Sequence, residues 1–165
     1  TLDGLLDGLA RHQLDVALTN GDVRGSDEQL WQSQLLASQP VSIVGPPELR
    51  PETTFPHGYE GKYWVLPSRD SEVRRAFDGL CTLWQYAPDI QAEADDMAML
   101  RLLARDGDAL AVLPTVVVRD EIQRGQLVEY MTLPNVFEYF YAITIKRSYV
   151  PTALQTLLVD IGRVE

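Results

Sequence analysis

The stretch DGDALAVLPTVVVRDEIQRGQLV, residues 106–128, decides the fold of this chain. The apolar run ALAVLP follows a glycine-containing turn and ends at Pro114, a pattern that predicts a strand. Residues 115–124 then predict a short helix, and the following QLVEYM predicts a further strand. No obvious catalytic side chain stands at the turn, so the stretch raises the question of what this strand end is for.

The same alternation of strand and helix extends outward along the chain. Helices are predicted at residues 2–12, 68–87, 95–107, 115–124 and 150–162. Strands are predicted at residues 14–20, 28–37, 41–45, 63–67, 89–94, 109–114, 126–131 and 136–147. Strands that alternate with helices at this spacing predict parallel βαβ units and an α/β fold. The block from about 46 to 140 looks complete, while the flanking segments look like parts of another unit.

One predicted helix shows a clear apolar face. The face consists of Val73, Phe77, Leu80, Cys81 and Trp84. Arg74 and Arg75 are expected to be exposed opposite this face, and Asp70 and Ser71 are good N-cap residues. Because Cys81 is the one cysteine of the chain, no intrachain disulfide can form. We expect a buried apolar side chain there; the alternative of a reactive thiol lacks a basic cluster or a helix start that would activate it.

Composition excludes several classes of protein. The chain has 165 residues, of which 45% are hydrophobic and 23% charged, as in ordinary globular proteins. Its apolar runs are far shorter than the roughly 20 residues of a membrane helix, and its first residues do not form a signal peptide. The net charge of −10 predicts that this chain by itself is repelled by DNA. The lone cysteine favours a reducing cytoplasm.

Charged and hydroxyl side chains mark two predicted turns from strand to helix. Ser68 and Arg69 follow the strand YWVLP, and free amides at a helix start together with an arginine suit an anion, although such serines are also common as purely structural caps. The acidic group EADD, residues 93–96, offers oxygen ligands for a hard cation, but acids in a first helical turn are favoured by the helix dipole alone. For this acidic group, the reading as ordinary first-turn acids is preferred over a cation site.

The sequence predicts neither a metal centre nor a catalytic site. His12 and His57 stand far apart, each without a cysteine or a second histidine at metal-ligand spacing. There is no GxSxG elbow, no glycine-rich phosphate loop and no HExxH motif. We therefore expect no cofactor, no metal and no enzymatic activity.

The order of several short motifs resembles a known family. LARHQLDVALTN, VSIVGPP, YWVLPSRDSEVRRAF, a DD-capped helix and GDALAVLP follow one another before a long strand and a last helix. This order resembles the effector-binding domain of LysR-type transcriptional regulators, with LDVAL and GDALAVLP as its most telling pieces. ADDMAML and the segment that starts at FEYFYAITIKR resemble the sodium-responsive, NhaR-type members. The resemblance covers essentially the whole chain.

The resemblance implies a two-lobed, periplasmic-binding-protein-like α/β fold with two crossover segments. Lobe I would comprise residues 1–42 and 143–165, and lobe II residues 43–142. The hinge would lie near residues 41–44 and 141–144. Family domains normally begin with a further strand, helix and strand, so lobe I is expected to be truncated at its N-terminus. The winged helix-turn-helix domain that binds DNA is expected to be a separate part of a longer regulator.

The resemblance also implies a function. A small molecule or an ion would bind between the lobes without being transformed, because ligands of such sheets sit at the carboxyl ends of strands. This answers the opening question, since ALAVL delivers its last residues to that rim. The expected ligand-binding residues are Thr19, Asn20, Ser68, Arg69, Asp95, Pro114 and Thr115. Asn20 before Gly21 is equally consistent with an ordinary turn.

Partners follow from the same resemblance. Self-association into a dimer or tetramer is expected through the helices at 2–12 and 71–86, where Arg74 and Arg75 would meet acids of the partner. DNA would be bound through the separate N-terminal domain alone, and no membrane is involved. The alternative function is that of a periplasmic-type solute-binding protein, which shares the two-lobed architecture.

Overall fold

The computed structural model describes residues 2–21, 23, 31–145 and 156. Helices and strands follow in the order α1 (Leu2–Ala10), β1 (Ala17–Thr19), β2 (Trp31–Gly45), β3 (Tyr63–Pro67), α2 (Glu72–Leu83), β4 (Asp89–Ala94), α3 (Met97–Asp106), β5 (Ala109–Pro114), α4 (Arg119–Gln123) and β6 (Val128–Ile145). Two 3-10 helices lie at Pro47–Leu49 and Thr115–Val118. The strands are hydrogen-bonded in the order β1-β6-β2-β5-β3-β4.

The chain forms two compact units. Unit 1 comprises Thr1–Ser38 and Tyr139–Glu165, and unit 2 comprises Gln39–Glu138. The chain therefore passes from unit 1 to unit 2 within β2 and returns within β6. The lobe boundaries after residues 42 and 142 stay predictions.

In unit 1, α1 and β1 pack beside the second half of β6. β1 is antiparallel to β6, with Ala17 opposite Ile143. These two residues and Leu9 of α1 form a small buried core. Most of the helix predicted at 150–162 lies outside the described residues, although Thr156 is helical.

Unit 2 contains the predicted parallel βαβ units. β3 is parallel to both β4 and β5, with α2 and α3 as the connections. The strand from the opening stretch, β5, is buried along its whole length. Leu110 and Val112 join the core that includes α2, whereas Ala109, Ala111 and Leu113 join a second core with α3. The run is uniformly apolar because helices cover both faces of the sheet.

Helix α2 begins and packs as its sequence indicates. The side chain of Ser71 accepts a hydrogen bond from the backbone nitrogen of Arg74 at 3.3 Å and so caps the helix. Val73, Phe77 and Cys81 are buried in the first core. The burial of Cys81 confirms the predicted buried apolar side chain. Burial also raises the pKa of its thiol to about 12, which disfavours the reactive thiolate.

Several predicted strands are longer in the structure. Residues 31–37 and 41–45, which come from two predicted strands, belong to one strand, β2, that runs without a break from Trp31 to Gly45. Residues 28–30 of the first predicted strand lie outside the described residues. Residues 128–131 and 136–145 of two further predicted strands are likewise joined in β6, where Asn135 adopts a positive φ of 56°. Residues 146 and 147 lie outside the described residues. Pairing with long neighbours outweighs the local turn signals in both places.

Residues 115–124 contain two short helices rather than one, since the 3-10 helix Thr115–Val118 leads into α4. Within the part of the chain that the structure describes, no helix combines the length and the apolar character needed to cross a membrane.

Candidate functional site

Three parallel strands of unit 2 end level with one another. Pro67 of β3 pairs with Ala94 of β4, so Ser68 and Asp95 follow at the same height. β3 also pairs with β5, with Val65 opposite Ala111, and the same register continued by three residues places Ser68 beside Pro114. Because neighbouring strands lie about 4.8 Å apart, these three residues share an edge roughly 10 Å wide. We call Ser68, Arg69, Asp95, Pro114 and Thr115 the strand-end site.

Each strand of this site leads into a helical turn. Ser71 caps α2, Asp96 caps α3, and Thr115 opens a 3-10 helix. The first amides of a helix point away from it without intrahelical acceptors, and the dipole adds partial positive charge there. The edge of the sheet therefore carries the partial positive charge of two helix starts, where the nitrogens of Arg74 and Ala98 already donate to the capping side chains.

Two hydroxyl groups at the edge are available for a ligand. The backbone nitrogen of Ser68 donates to the carbonyl oxygen of Ala94 at 3.2 Å, and its own carbonyl accepts from the nitrogen of Ser71 at 3.0 Å. The side chains of Ser68 and Thr115 are half-buried, and neither hydroxyl forms a hydrogen bond with a described residue. The backbone hydrogen bonds thus fix the position of Ser68 at the end of β3.

Arg74 is buried, which corrects the expectation that it is exposed beside Arg75. Only 2% of Arg74 is accessible. Its Nη1 donates to the carbonyl oxygen of Pro67 at 2.9 Å and to Oε1 of Glu93 at 3.0 Å, while Nε donates to Asp78 at 2.9 Å. The guanidinium therefore ties α2 to the ends of β3 and β4, directly beneath the strand-end site.

The contacts of Glu93 with Arg74 and Arg69 determine its ionisation. The hydrogen bond from Arg74 is the main cause that lowers the pKa of this carboxyl group, and the charges of Arg74 and Arg69 add to it against a smaller opposing effect of burial. Nε of the exposed Arg69 lies 3.6 Å from Oε1 of Glu93. Part of the charge of Arg69 is therefore already offset within the protein.

The remaining acids of this turn have different positions. Asp96 caps α3 by accepting from the nitrogen of Ala98 at 2.9 Å, as its place in the first turn indicated. Asp95 is exposed. In the described ranges 2–21, 23, 31–145 and 156, no three His, Cys, Asp or Glu side chains are grouped so as to hold a metal ion.

Thr19 and Asn20 belong to unit 1 and lie at the end of β1. Oγ1 of Thr19 accepts a hydrogen bond from the nitrogen of Gly21 at 3.1 Å, and Asn20 is exposed. The local structure is that of a turn. Their part in ligand binding stays a prediction.

Sequence reasoning missed two buried ion pairs of unit 2. Arg74 lies about one helical turn before Phe77 and four residues before Asp78. This spacing places Arg74 beside the buried face and within reach of Asp78, so the ion pair could have been predicted. The ion pair of Glu121 could not be predicted from spacing, because its partner Arg101 belongs to a different helix. Oε1 of Glu121 lies 2.7 Å from Nε of Arg101. Burial opposes the ionisation of Glu121, but the hydrogen bond and charge of Arg101 outweigh it and lower the pKa.

Unit 2 contains parallel βαβ connections and is joined to unit 1 by two strands. This architecture is typical of α/β domains of the periplasmic-binding-protein-like class. The sequence model of the LysR substrate binding domain matches residues 1–160. The chain belongs to this family, whose members are transcriptional regulators rather than enzymes.

Relatives agree with this assignment. The transcriptional activator protein NhaR of Escherichia coli is 26% identical over 159 residues, which cover 95% of this chain and 52% of NhaR. The chain thus spans about half the length of the curated relatives it matches. The DNA complex of Vibrio fischeri DarR has a TM-score of 0.70 at 16% identity, covering 100% of this chain and 56% of DarR. The regulatory domain of Synechocystis CcmR, solved with 2-PG, has a TM-score of 0.67 at 13% identity, covering 98% and 78%.

Proposed function

We propose that the chain is the effector-binding part of a LysR-type transcriptional regulator that acts in the cytoplasm. A small molecule or an ion binds at the strand-end site, and its binding controls DNA binding by a separate domain. Proteins of the same fold give precedents for this proposal. DarR was solved in complex with DNA, and the regulatory domain of CcmR was solved in complex with the small molecule 2-PG.

One observation carries the proposal. The half-buried hydroxyls of Ser68 and Thr115 lie at level strand ends beside two helix starts, and they form no hydrogen bond with a described residue. Polar groups that are partly shielded from water and lack a protein partner favour a ligand that supplies one. Arg69 extends this edge with a charge that Glu93 offsets in part.

The switch itself requires a difference in affinity. A ligand shifts a conformational equilibrium only if it binds one arrangement more tightly than the other. We propose that Thr19 and Asn20 of unit 1 supply that difference by contacting the ligand in one arrangement. The hinge positions 41–44 and 141–144 lie in β2 and β6, which carry the chain between the units.

Binding is expected to appear as thermal stabilisation. A panel of small carboxylates, phosphates and sodium against potassium salts should contain a compound that raises the free energy of unfolding by about 2.7 kcal/mol at about 100 times its Kd. Ser68→Ala should lower the affinity for that compound by about five- to tenfold, because one hydrogen bond is lost. The measurement is differential scanning fluorimetry followed by calorimetric titration.

The matched control is Ser33→Ala, an exposed serine on β2. It should leave the affinity unchanged. Equal binding to the Ser68→Ala and parent chains would remove Ser68 from the site. The family assignment favours a regulator over the alternative of a periplasmic-type solute-binding protein.

We also propose self-association through α1 and α2 of different copies. Leu2 and Leu5 of α1 are each 37% exposed, and Leu83 of α2 is 73% exposed, so both helices carry apolar side chains in solvent. With Arg74 buried, Arg75 is the arginine of α2 that is left to meet a partner's acids.

Light scattering is therefore expected to show a dimer or larger oligomer. Leu83→Glu should weaken it by about tenfold or more, since a charge would be buried against the partner. Leu102→Glu introduces the same charge on α3, outside the proposed interface, and should leave the self-association unchanged. A strict monomer at high protein concentration would contradict this proposal.

A further inference from the structure

A cleft lies at the end of the unit 2 sheet that is opposite the strand-end site. Val41 of β2 pairs with Pro114 at the strand-end site, and β2 then runs to Gly45 before the loop at residues 46–62. Four residues of extended strand separate these ends by about 13 Å. The cleft has a volume of about 530 Å³ and lies between this loop and the start of β6. Its walls include Pro47, Arg50, Pro51, Tyr59, Tyr130 and Met131.

Tyr59 places an unused hydrogen-bond donor in the wall of this cleft. Its side chain is held by aromatic neighbours, with ring centroids 5.0 Å from Phe55 and 6.2 Å from Trp64. The residue is only 2% exposed, yet its hydroxyl forms no hydrogen bond with a described residue. Burial raises the pKa of Tyr59 despite the opposing charge of Arg50, so the hydroxyl stays protonated at neutral pH.

Tyr130 is fixed on the other side of Tyr59. Their ring centroids are 6.2 Å apart, and the hydroxyl of Tyr130 donates to the carbonyl oxygen of Pro46. An added Cβ on Gly45 would come within 3.0 Å of that hydroxyl, so the glycine lets the ring pack closely. The donor of Tyr130 is thus satisfied within the protein, whereas that of Tyr59 is not.

Arg50 supplies a positive charge at the same place. It is exposed and forms no ion pair with a carboxylate among the described residues. Glu52 also lines the cleft. One cation and one anion in the wall favour a ligand with a single negative charge over a dianion, which Glu52 would repel. Pro47, Pro51 and Met131 offer apolar surface for the rest of the ligand.

We propose that this cleft is a binding site for a small organic monocarboxylate. Its carboxylate accepts hydrogen bonds from Arg50 and the Tyr59 hydroxyl, and its apolar body packs on the proline rings and Met131. The volume lies within the range of known small-molecule sites. This site is separate from the strand-end site, so the inference goes beyond the proposed function.

The methionines of the chain allow a direct test. Met131 lines the cleft, whereas Met97 and Met99 lie at the start of α3, next to the strand-end site. In the chain labelled with ¹³C-methyl methionine, benzoate at up to about 10 mM should shift the Met131 signal in a saturable way, with a Kd on the order of 1 mM for so small a ligand. Met97 and Met99 should stay unchanged. A shift of the Met97 and Met99 signals alone would mean that benzoate binds at the strand-end site, and it would overturn the proposed site in the cleft.

Variants and probes separate the parts of the proposal. Tyr59→Phe should weaken benzoate by about tenfold without unfolding the chain, since that hydroxyl has no protein partner to lose. Arg50→Gln should weaken it similarly, whereas the exposed controls Tyr63→Phe and Arg124→Gln should not. Neutral benzamide should bind at least about tenfold more weakly than benzoate. Benzamide binding as tightly as benzoate, or a Met131 response to inorganic phosphate but not to benzoate, would overturn the carboxylate assignment.

Discussion

Phe77→Ala is expected to lower the free energy of unfolding by about 3–5 kcal/mol, the largest effect we expect from a single substitution in this chain. Phe77 is 0% exposed and lies on the inner face of α2. Its ring centroid is 5.1 Å from that of Trp64 on β3. Alanine would remove this contact and leave a cavity between the helix and the sheet, where the rigid surroundings relax only in part.

Urea unfolding followed by tryptophan fluorescence measures this loss. Leu102→Ala is the control, since Leu102 is an apolar residue of helix α3 that is 42% exposed. It should change the free energy of unfolding by less than about 0.5 kcal/mol. Similar losses in the two variants would mean that α2 does not pack on the sheet through Phe77.

The success of the sequence in predicting this helix has a simple physical basis. Periodicity reports the direction in which side chains point, so the apolar spacing of Val73, Phe77 and Cys81 identified the buried face. A continuous apolar run such as ALAVLP reports burial on both faces, and β5 indeed contributes to both cores of unit 2. The ends of these strands lie where the sequence predicted them, whereas a role of Ser68 or Thr115 in ligand binding stays a prediction.

Contacts between distant segments carried no comparable signal. Oγ of Ser42 donates to Oε1 of Glu129 at 2.6 Å, although 87 positions separate them in the sequence. The cleft beside Tyr59 likewise depends on a loop meeting the start of β6. Such juxtapositions are decided by which strands become neighbours, and the periodicity of a strand reports its buried face but not its partner.

Arg74→Met is expected to lower the free energy of unfolding by about 2–3 kcal/mol. Breaking a buried ion pair usually costs about 3–5 kcal/mol, because the remaining charge is left without compensation. The side chains of Asp78 and Glu93 are 48% and 34% exposed and can recover part of their hydration, which reduces the loss. Arg124→Met, at an exposed arginine that follows α4, should cost less than about 0.5 kcal/mol.

The same variant should change how stability depends on pH and how the strand-end site behaves. The pKa of Glu93 is lowered in the folded chain, so its ionisation stabilises the fold above the usual value of 4.5, and this contribution is lost as the pH falls through the folded value. Without Arg74 the pKa of Glu93 should move back up, as carboxyl ¹³C titration would record, and the acid slope should flatten. Glu93 would then hold Arg69 more tightly, and an anionic effector should bind less well. An unchanged Glu93 titration would show that Arg74 does not control this carboxylate, and through it the charge at the strand ends.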